Sequence, residues 1–247
     1  MGRFDNKVAL VTGGTSGIGA ATAKILASEG AQVIIVGRNK SKGIEMMHEI
    51  SALYEDSCIY IYTDVSAQSD IDRLYEIIVN KYGKLDLLFN NAGILLTGSL
   101  EELTEEDWQK SFNVNVTAVM YVCKKFMHLL TESHGVVLNN ASINGLHYYI
   151  KGARSYMYAT SKSALIQFSK YLAKNYAPSV RVNVICPGIT VTNLFTNRDF
   201  SRFDDCNLLG RMATAEEIGR VAAFLLSNEA SFITGAVIVA DGGETIK

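Results

Sequence analysis

The sequence predicts an α/β fold, a doubly wound and mostly parallel sheet of seven strands with helices on both faces. Three observations predict it. Short apolar runs alternate with segments of helical periodicity along the whole of the 247 residues. The run Val33 to Val36 is continuously apolar, as in a strand buried on both faces. A glycine-rich turn, Thr12-Gly13-Gly14-Thr15-Ser16-Gly17-Ile18-Gly19, joins the first apolar run to the first helical segment.

In chain order, Lys7 to Thr12 reads as the first strand. Gly17 to Glu29 reads as a helix, with Ile18, Ala21, Ile25 and Leu26 at helical spacing. Val33 to Val36 is a strand, Ser41 to Leu53 a helix and Ile59 to Tyr62 a strand. Gln68 to Tyr82 follows as a helix with Ile71, Leu74, Ile77 and Ile78 on one side. Leu85 to Asn90 is a strand, Glu105 to Leu130 one long helix, and Val136 to Asn139 a strand. The chain closes with a helix over Tyr156 to Tyr176, a strand over Arg181 to Cys186, a helix over Glu216 to Leu226 and a strand over Val237 to Ala240.

Composition narrows the classes. A hydrophobic content of 48% supports one large domain over residues 1–247, with no linker, repeat or low-complexity segment. The formal charge of −2 is spread among interspersed acids and bases, leaving no basic face for nucleic acid or an anionic membrane. No secretory leader and no membrane-length apolar run stand out, so a cytoplasmic location is expected. Cys58, Cys123, Cys186 and Cys206 are far apart and form no metal or disulfide pattern. Asn39, Asn115 and Asn140 each open a glycosylation sequon, read here as a coincidence of composition.

The chemistry centres on Tyr158-Ala159-Thr160-Ser161-Lys162. Residues four apart share a helix face, so the phenol and the ammonium can meet. At a separation of ~4–5 Å and an effective dielectric near 20, their attraction is roughly 3–4 kcal/mol, which lowers the phenol's pKa. Such a tyrosine exchanges a proton with an alcohol or ketone. Spacing alone is weak evidence, because Tyr121 and Lys125 repeat it. Tyr121 lies in an apolar helical stretch and reads as core. The glycine-rich turn adds a second signal, since backbone amides at a strand-to-helix turn attract phosphate.

With these motifs in order, the chain resembles the short-chain dehydrogenase/reductases in their compact branch of about 250 residues, with members such as the 3-oxoacyl-(acyl-carrier-protein) reductases. The resemblance rests on the turn at 12–19, Asp64, Asn90-Asn91-Ala92-Gly93, Asn115, Ser142, Tyr158 and Lys162, then Arg181-Val182-Asn183, Pro187-Gly188 and Asp241-Gly242-Gly243. It implies a Rossmann-type fold and NAD(P)(H) chemistry. Tyr158 would be the general acid or base. Lys162 would lower its pKa and hold the nicotinamide ribose, Ser142 would hold the substrate oxygen, and Asn115 would fix a water linking Lys162 to solvent.

The cofactor would be held by Gly13, Thr15, Ser16, Gly17, Ile18 and Gly19 at the turn. Asp64 and Val65 would meet the adenine, and Asn90 the adenine ribose. Asn91, Ala92 and Gly93 would form the crevice floor, with Pro187, Gly188, Ile189, Thr190 and Thr192 beside the nicotinamide. At the end of the second strand, Gly37 stands where NAD-specific relatives carry an acid, and Arg38 follows. A guanidinium without a competing carboxylate pairs with a 2′-phosphate, so NADP(H) is expected over NAD(H), with Asn39 and Lys40 assisting.

Ser142 and Tyr158 are about three residues further apart than is usual in the family, the excess lying in the segment Leu146 to Gly152. That departure separates the substrate from close family analogy. Residues 190–207 resemble the family's substrate lid. The expected activity is NADP(H)-dependent hydride transfer to and from a carbonyl or secondary alcohol. A 3-oxoacyl thioester reductase and a non-turnover NADP(H) sensor are the alternatives, with a dehydratase or epimerase behind them. A homotetramer is expected, with a dimer second.

Overall fold

The computed structural model describes residues 2–55, 57–146, 155–192 and 206–247. Seven strands form one sheet: β1 (Val8–Thr12), β2 (Gln32–Gly37), β3 (Cys58–Tyr62), β4 (Leu87–Asn90), β5 (Val136–Asn140), β6 (Arg181–Pro187) and β7 (Val237–Ala240). Their order is β3-β2-β1-β4-β5-β6-β7, and each of the six pairings is parallel. The sheet is therefore wholly rather than mostly parallel among the described residues. Strand order reverses between β1 and β4, and in such sheets the crevice at that reversal receives ligands.

Helices α1 (Gly17–Ser28), α2 (Lys40–Leu53), α3 (Gln68–Tyr82), α4 (Glu105–Phe112), α5 (Ala118–Glu132), α6 (Tyr156–Tyr176) and α7 (Ala215–Leu226) make the crossovers. Successive strand residues point to opposite faces, so each strand feeds two cores. Val8, Leu10, Ile34, Val36, Leu88 and Val137 pack under α3, α5 and α6. Ala9, Val11, Val33, Ile35, Phe89 and Leu138 pack under α1, α2 and α7. Tyr121 joins the first core as a partly buried neighbour, and Lys125 turns away to Asp72, 2.6 Å distant. The repeated tyrosine–lysine spacing is thus structural.

One expected element is divided. The long helix read over 105–130 is broken by a π-helical stretch, Asn113–Thr117, between α4 and α5. Apolar spacing runs through both halves and does not register a single-turn change of hydrogen bonding. Such turns occur disproportionately at functional sites, and Asn115 is at the centre of this one.

At the opposite end of the sheet, Asp86 is 3% exposed, accepts from Val8 N at 2.9 Å and pairs with Lys7 and Lys84, each at 3.0 Å. Removing the carboxylate leaves a buried N–H without its acceptor, a loss of about 2–3 kcal/mol. Asp86→Ala is expected to lower the urea midpoint accordingly with an unchanged m-value. A midpoint within error of the unaltered protein would show that water replaces the carboxylate at no cost.

Candidate active site

A cavity of about 450 Å³ opens at the C-terminal ends of the strands, within the range of cofactor and ligand clefts. Its first third is the turn between β1 and α1. Ser16 precedes the helix in extended conformation, and its side chain caps nothing, so the first-turn amides of α1 face the cavity without a side-chain acceptor. Gly17 has φ +55, a left-handed conformation that a side chain disfavours, and a Cβ there would stand 3.2 Å from Thr192 on the far wall. Gly13, Thr15, Ser16, Gly17, Ile18 and Thr192 all line the cavity. Gly19 does not, because it lies beneath the turn against the Gly13 carbonyl.

The second third lies beyond β2 and β3, where Gly37, Arg38, Asn39, Thr63, Asp64 and Val65 line the wall. Arg38 is largely exposed, with its Nη1 3.9 Å from Asp64 Oδ2. That is a loose ion pair, which leaves most of the guanidinium's donors open. Burial works to raise the Asp64 carboxyl, but hydrogen bonds from Ser66 and the charge of Arg38 prevail and hold it below the usual range. Asn39 spends its carbonyl on Lys42 N as the cap of α2, and Lys40 stands over the Tyr62 ring at 5.3 Å. Asn39 keeps its amide N–H donors and lines the cavity beside Arg38, whereas Lys40 does not line it.

The strand ends between these regions are tied by side chains. Thr12 Oγ1 accepts from the amides of Asn91 and Ala92, each at 3.0 Å. Asn91 Nδ2 donates to the Thr12 and Gly13 carbonyls at 3.1 Å, and Asn91 Oδ1 accepts from Asn140 at 2.8 Å. Asn91, Ala92 and Gly93 line the cavity as expected, whereas Asn90 does not. Asn90 is 2% exposed and donates inward to Asn139 at 2.9 Å, which corrects its expected place at a ribose. The physical reason is the period-2 alternation of β4, which turns successive residues to opposite sides.

The last third holds Ser142, Tyr158, Lys162, Pro187, Gly188, Ile189 and Thr190. Lys162 Nζ donates to the Asn140 carbonyl at 2.7 Å and stands 5.7 Å from the centre of the Tyr158 ring. The expected lowering of the phenol is not what this geometry produces. Burial pushes Tyr158 up to about 12, while the Ser142 side chain pulls weakly the other way. Burial pushes Lys162 down to about 8. The ammonium points at a carbonyl rather than at the phenol oxygen, so desolvation outweighs its attraction.

Asn115 is wholly buried and off the cavity wall. Its Oδ1 accepts from Ile94 N at 2.9 Å, and its Nδ2 donates to the Ile94 carbonyl at 3.1 Å and Ser161 Oγ at 3.0 Å. The Asn115 side chain fixes the segment following Gly93 and the helix turn between Tyr158 and Lys162. Gly93 passes so near that a Cβ would meet Asn115 Oδ1 at 3.2 Å and Lys162 Nζ at 3.4 Å.

Sequence reasoning missed Thr63, Ile94, Leu95, Val114, Asn140, Ala141 and Asn144 as lining residues. Thr63, Ile94, Val114 and Ala141 each adjoin a motif residue, which was the available signal. The expected lid and the lengthened segment fall largely on 193–205 and 147–154, outside the described residues.

The same architecture occurs in known enzymes. A family model described as enoyl-(acyl carrier protein) reductase matches residues 13–245. Cyclohexanol dehydrogenase of Acinetobacter sp. (strain SE19) is 36% identical, covering 99% of this chain and 97% of its own. Meso-2,3-butanediol dehydrogenase of Serratia marcescens is 34% identical, covering 98% and 96%. The 3-oxoacyl-(acyl-carrier-protein) reductase of Thermotoga maritima is 35% identical, covering 99% and 100%. Among solved structures, L-sorbose reductase from Gluconobacter frateurii, complexed with NADPH and L-sorbose, superposes with a TM-score of 0.92 at 27% identity, covering 99% and 98%.

The buried Lys162 has a consequence for stability. Its folded pKa of about 8 lies below the ordinary 10.5, so the unfolded chain binds the extra proton between those values. Its contribution to unfolding free energy therefore rises with pH across that window, and the charged lysine costs stability in full below it. Lys162→Met relieves about 3 kcal/mol of desolvation and forfeits about 1 kcal/mol of hydrogen bonding. The variant is expected to melt a few degrees higher at pH 7, with the advantage shrinking towards pH 10. Equal melting points at pH 7 would mean that the ammonium is not desolvated.

Proposed function

The chain belongs to the short-chain dehydrogenase/reductase family, enzymes of alcohols and ketones, and from that premise we propose that it is an NADP(H)-dependent carbonyl reductase in which Tyr158 moves the proton. The observation that carries this reading is the convergence of Ser142, Tyr158 and Lys162 at one end of a cavity whose other end is an uncapped helix N-terminus. The residues fit a dinucleotide: open amides for a diphosphate, Asp64 and Val65 for a base, and Arg38 for a 2′-phosphate. The nicotinamide, when bound, supplies or accepts the hydride.

The protein's own groups do the rest. Ser142 Oγ holds the carbonyl oxygen and stabilises the negative charge that develops on it. Tyr158, which burial keeps protonated well above neutral pH, delivers a proton to that oxygen. In the reverse direction it takes the proton from the alcohol. Lys162, anchored on Asn140, brings positive charge to the base of the site and a donor for a ribose hydroxyl. Asn115 positions both by clamping Ser161 to Ile94. Gly188, Ile189, Thr190 and Thr192 close the wall beside the nicotinamide end. A 3-oxoacyl thioester specialisation is supported by relatives such as the Thermotoga enzyme, and a substrate panel decides it.

Association is expected to give a homotetramer. Phe224, Phe232, Val239 and Ile246 leave apolar surface along α7, β7 and the segments around them. Light scattering near four protomer masses supports that reading, and a monomer at micromolar concentration overturns it.

Three kinetic outcomes are expected with a ketone panel. Tyr158→Phe lowers kcat/KM by about 10²–10⁴ while NADPH binding, followed by its fluorescence, persists. Ser142→Ala lowers kcat by about 10²–10³. Arg38→Gln raises KM for NADPH about 10-fold or more, with KM for NADH little changed, as the loss of a charge-assisted pair requires. Retained turnover in Tyr158→Phe would refute the proton role. An unmoved NADPH-to-NADH ratio in Arg38→Gln would refute the cofactor assignment alone.

A further inference from the structure

The polar groups that line the cavity divide by whether they have partners. Thr63 donates to the Ile61 carbonyl, Thr190 to that of Gly188, and Asn91 and Asn140 are tied to each other. Thr15 and Ser16 belong to the glycine-rich turn, and Thr192 faces it. Near the reacting groups Asn140 keeps only its Oδ1 unpaired, and one side chain has its whole amide open. Asn144 lines the cavity half-buried, and neither its Oδ1 nor its Nδ2 has a partner among the described residues.

Its place is fixed by backbone. Ser142 Oγ accepts from Asn144 N at 3.2 Å, so the residue is held one short 3-10 step from the hydroxyl that faces the substrate oxygen. The next residue, Gly145, presses on α6 so closely that a Cβ would lie 2.8 Å from Lys162 C and 2.9 Å from Ser163 N. Ser163 Oγ donates to the Gly145 carbonyl at 2.6 Å. The Ser142–Gly145 turn is therefore packed directly on the turn of α6 that carries Lys162. Ile94, Leu95, Val114 and Ile189 supply apolar wall in the same cavity. A half-desolvated primary amide on an anchored backbone, among apolar neighbours, penalises any ligand that leaves it unpaired.

We propose that Asn144 is a specificity-determining residue that binds an oxygen on the carbon next to the reacting carbonyl, so that the substrates are hydroxyketones and the vicinal diols they form. A primary amide both donates and accepts, and a hydroxyl answers both. A plain ketone strands the amide. A 3-oxoacyl thioester carries its second oxygen one carbon further along, a different placement for the same amide. This assignment rests on Ser142 and Tyr158 holding the reacting oxygen.

The test compares two ketones of one skeleton, 1-hydroxy-2-butanone and 2-butanone, together with an acetoacetyl thioester, under NADPH and NADH. The unaltered protein is expected to favour the hydroxyketone over the plain ketone about tenfold or more in kcat/KM, as sites built around a polar contact do. It is expected to favour it over the thioester as well. Asn144→Ala and the near-isosteric Asn144→Leu are expected to bring the ketone ratio near one, with NADPH affinity by fluorescence reporting that each variant is folded. The ratio of 1,2-butanediol to 2-butanol oxidation should collapse in parallel. A ratio near one in the unaltered protein, a preference for the thioester, or a ratio that survives both variants overturns the role of Asn144 and leaves carbonyl reduction standing. No turnover of any of the three carbonyls with either nucleotide overturns both.

Discussion

Asn91 bonds at once to the carbonyls that end β1 and to the side chain that ends β5, and the cleft depends on that set of bonds. Parallel strands part at their C-terminal ends where the order reverses, which opens a crevice but does not by itself hold its walls in place. The Thr12 hydroxyl and the Asn91 and Asn140 amides close β1, β4 and β5 into a rigid floor. Lys162 then hangs from the Asn140 carbonyl. A continuous run of contacts thus leads from the glycine-rich turn to the tyrosine–lysine pair. It carries a cost, since Asn140 Oδ1 is buried without a partner.

Upon that floor the site is assembled by close approach. Gly93 passes against Asn115 and Lys162, and Gly145 against the backbone of α6. The π-helical turn places Asn115 where its amide can grip two segments together, the loop at Ile94 and Ser161 on α6. Burial then sets the electrostatics. Tyr158 and Lys162 are moved in opposite directions by the same desolvation, towards the neutral form of each. The phenol thereby keeps its proton to well above neutral pH.

Much of this was legible in the chain. The seven strands and most helix limits followed from apolar runs and periodicity, because strands buried on both faces leave an uninterrupted apolar signature. Val237 to Ala240, Gln68 to Tyr82 and Tyr156 to Tyr176 were read to the residue. The π-helical turn was not, since it alters hydrogen bonding without altering the apolar spacing of its flanks. The places of Gly13, Gly17, Arg38, Asp64, Ser142, Tyr158 and Lys162 on one cavity followed from motif order. The inward turn of Asn90, the commitment of Asn115 and the cap formed by Asn39 did not, because identity does not reveal where an amide points.

The sequence by itself determined the architecture and the inventory of reacting groups, because local periodicity and turn chemistry are written in consecutive residues. Only the tertiary structure decided which polar groups are spent and which are free. Partners are chosen by residues distant in the chain, as Asn115 is by Ile94 and Ser161, and Lys162 by Asn140. The direction of the Tyr158 and Lys162 shifts was decided there as well, since burial is a property of packing and not of spacing.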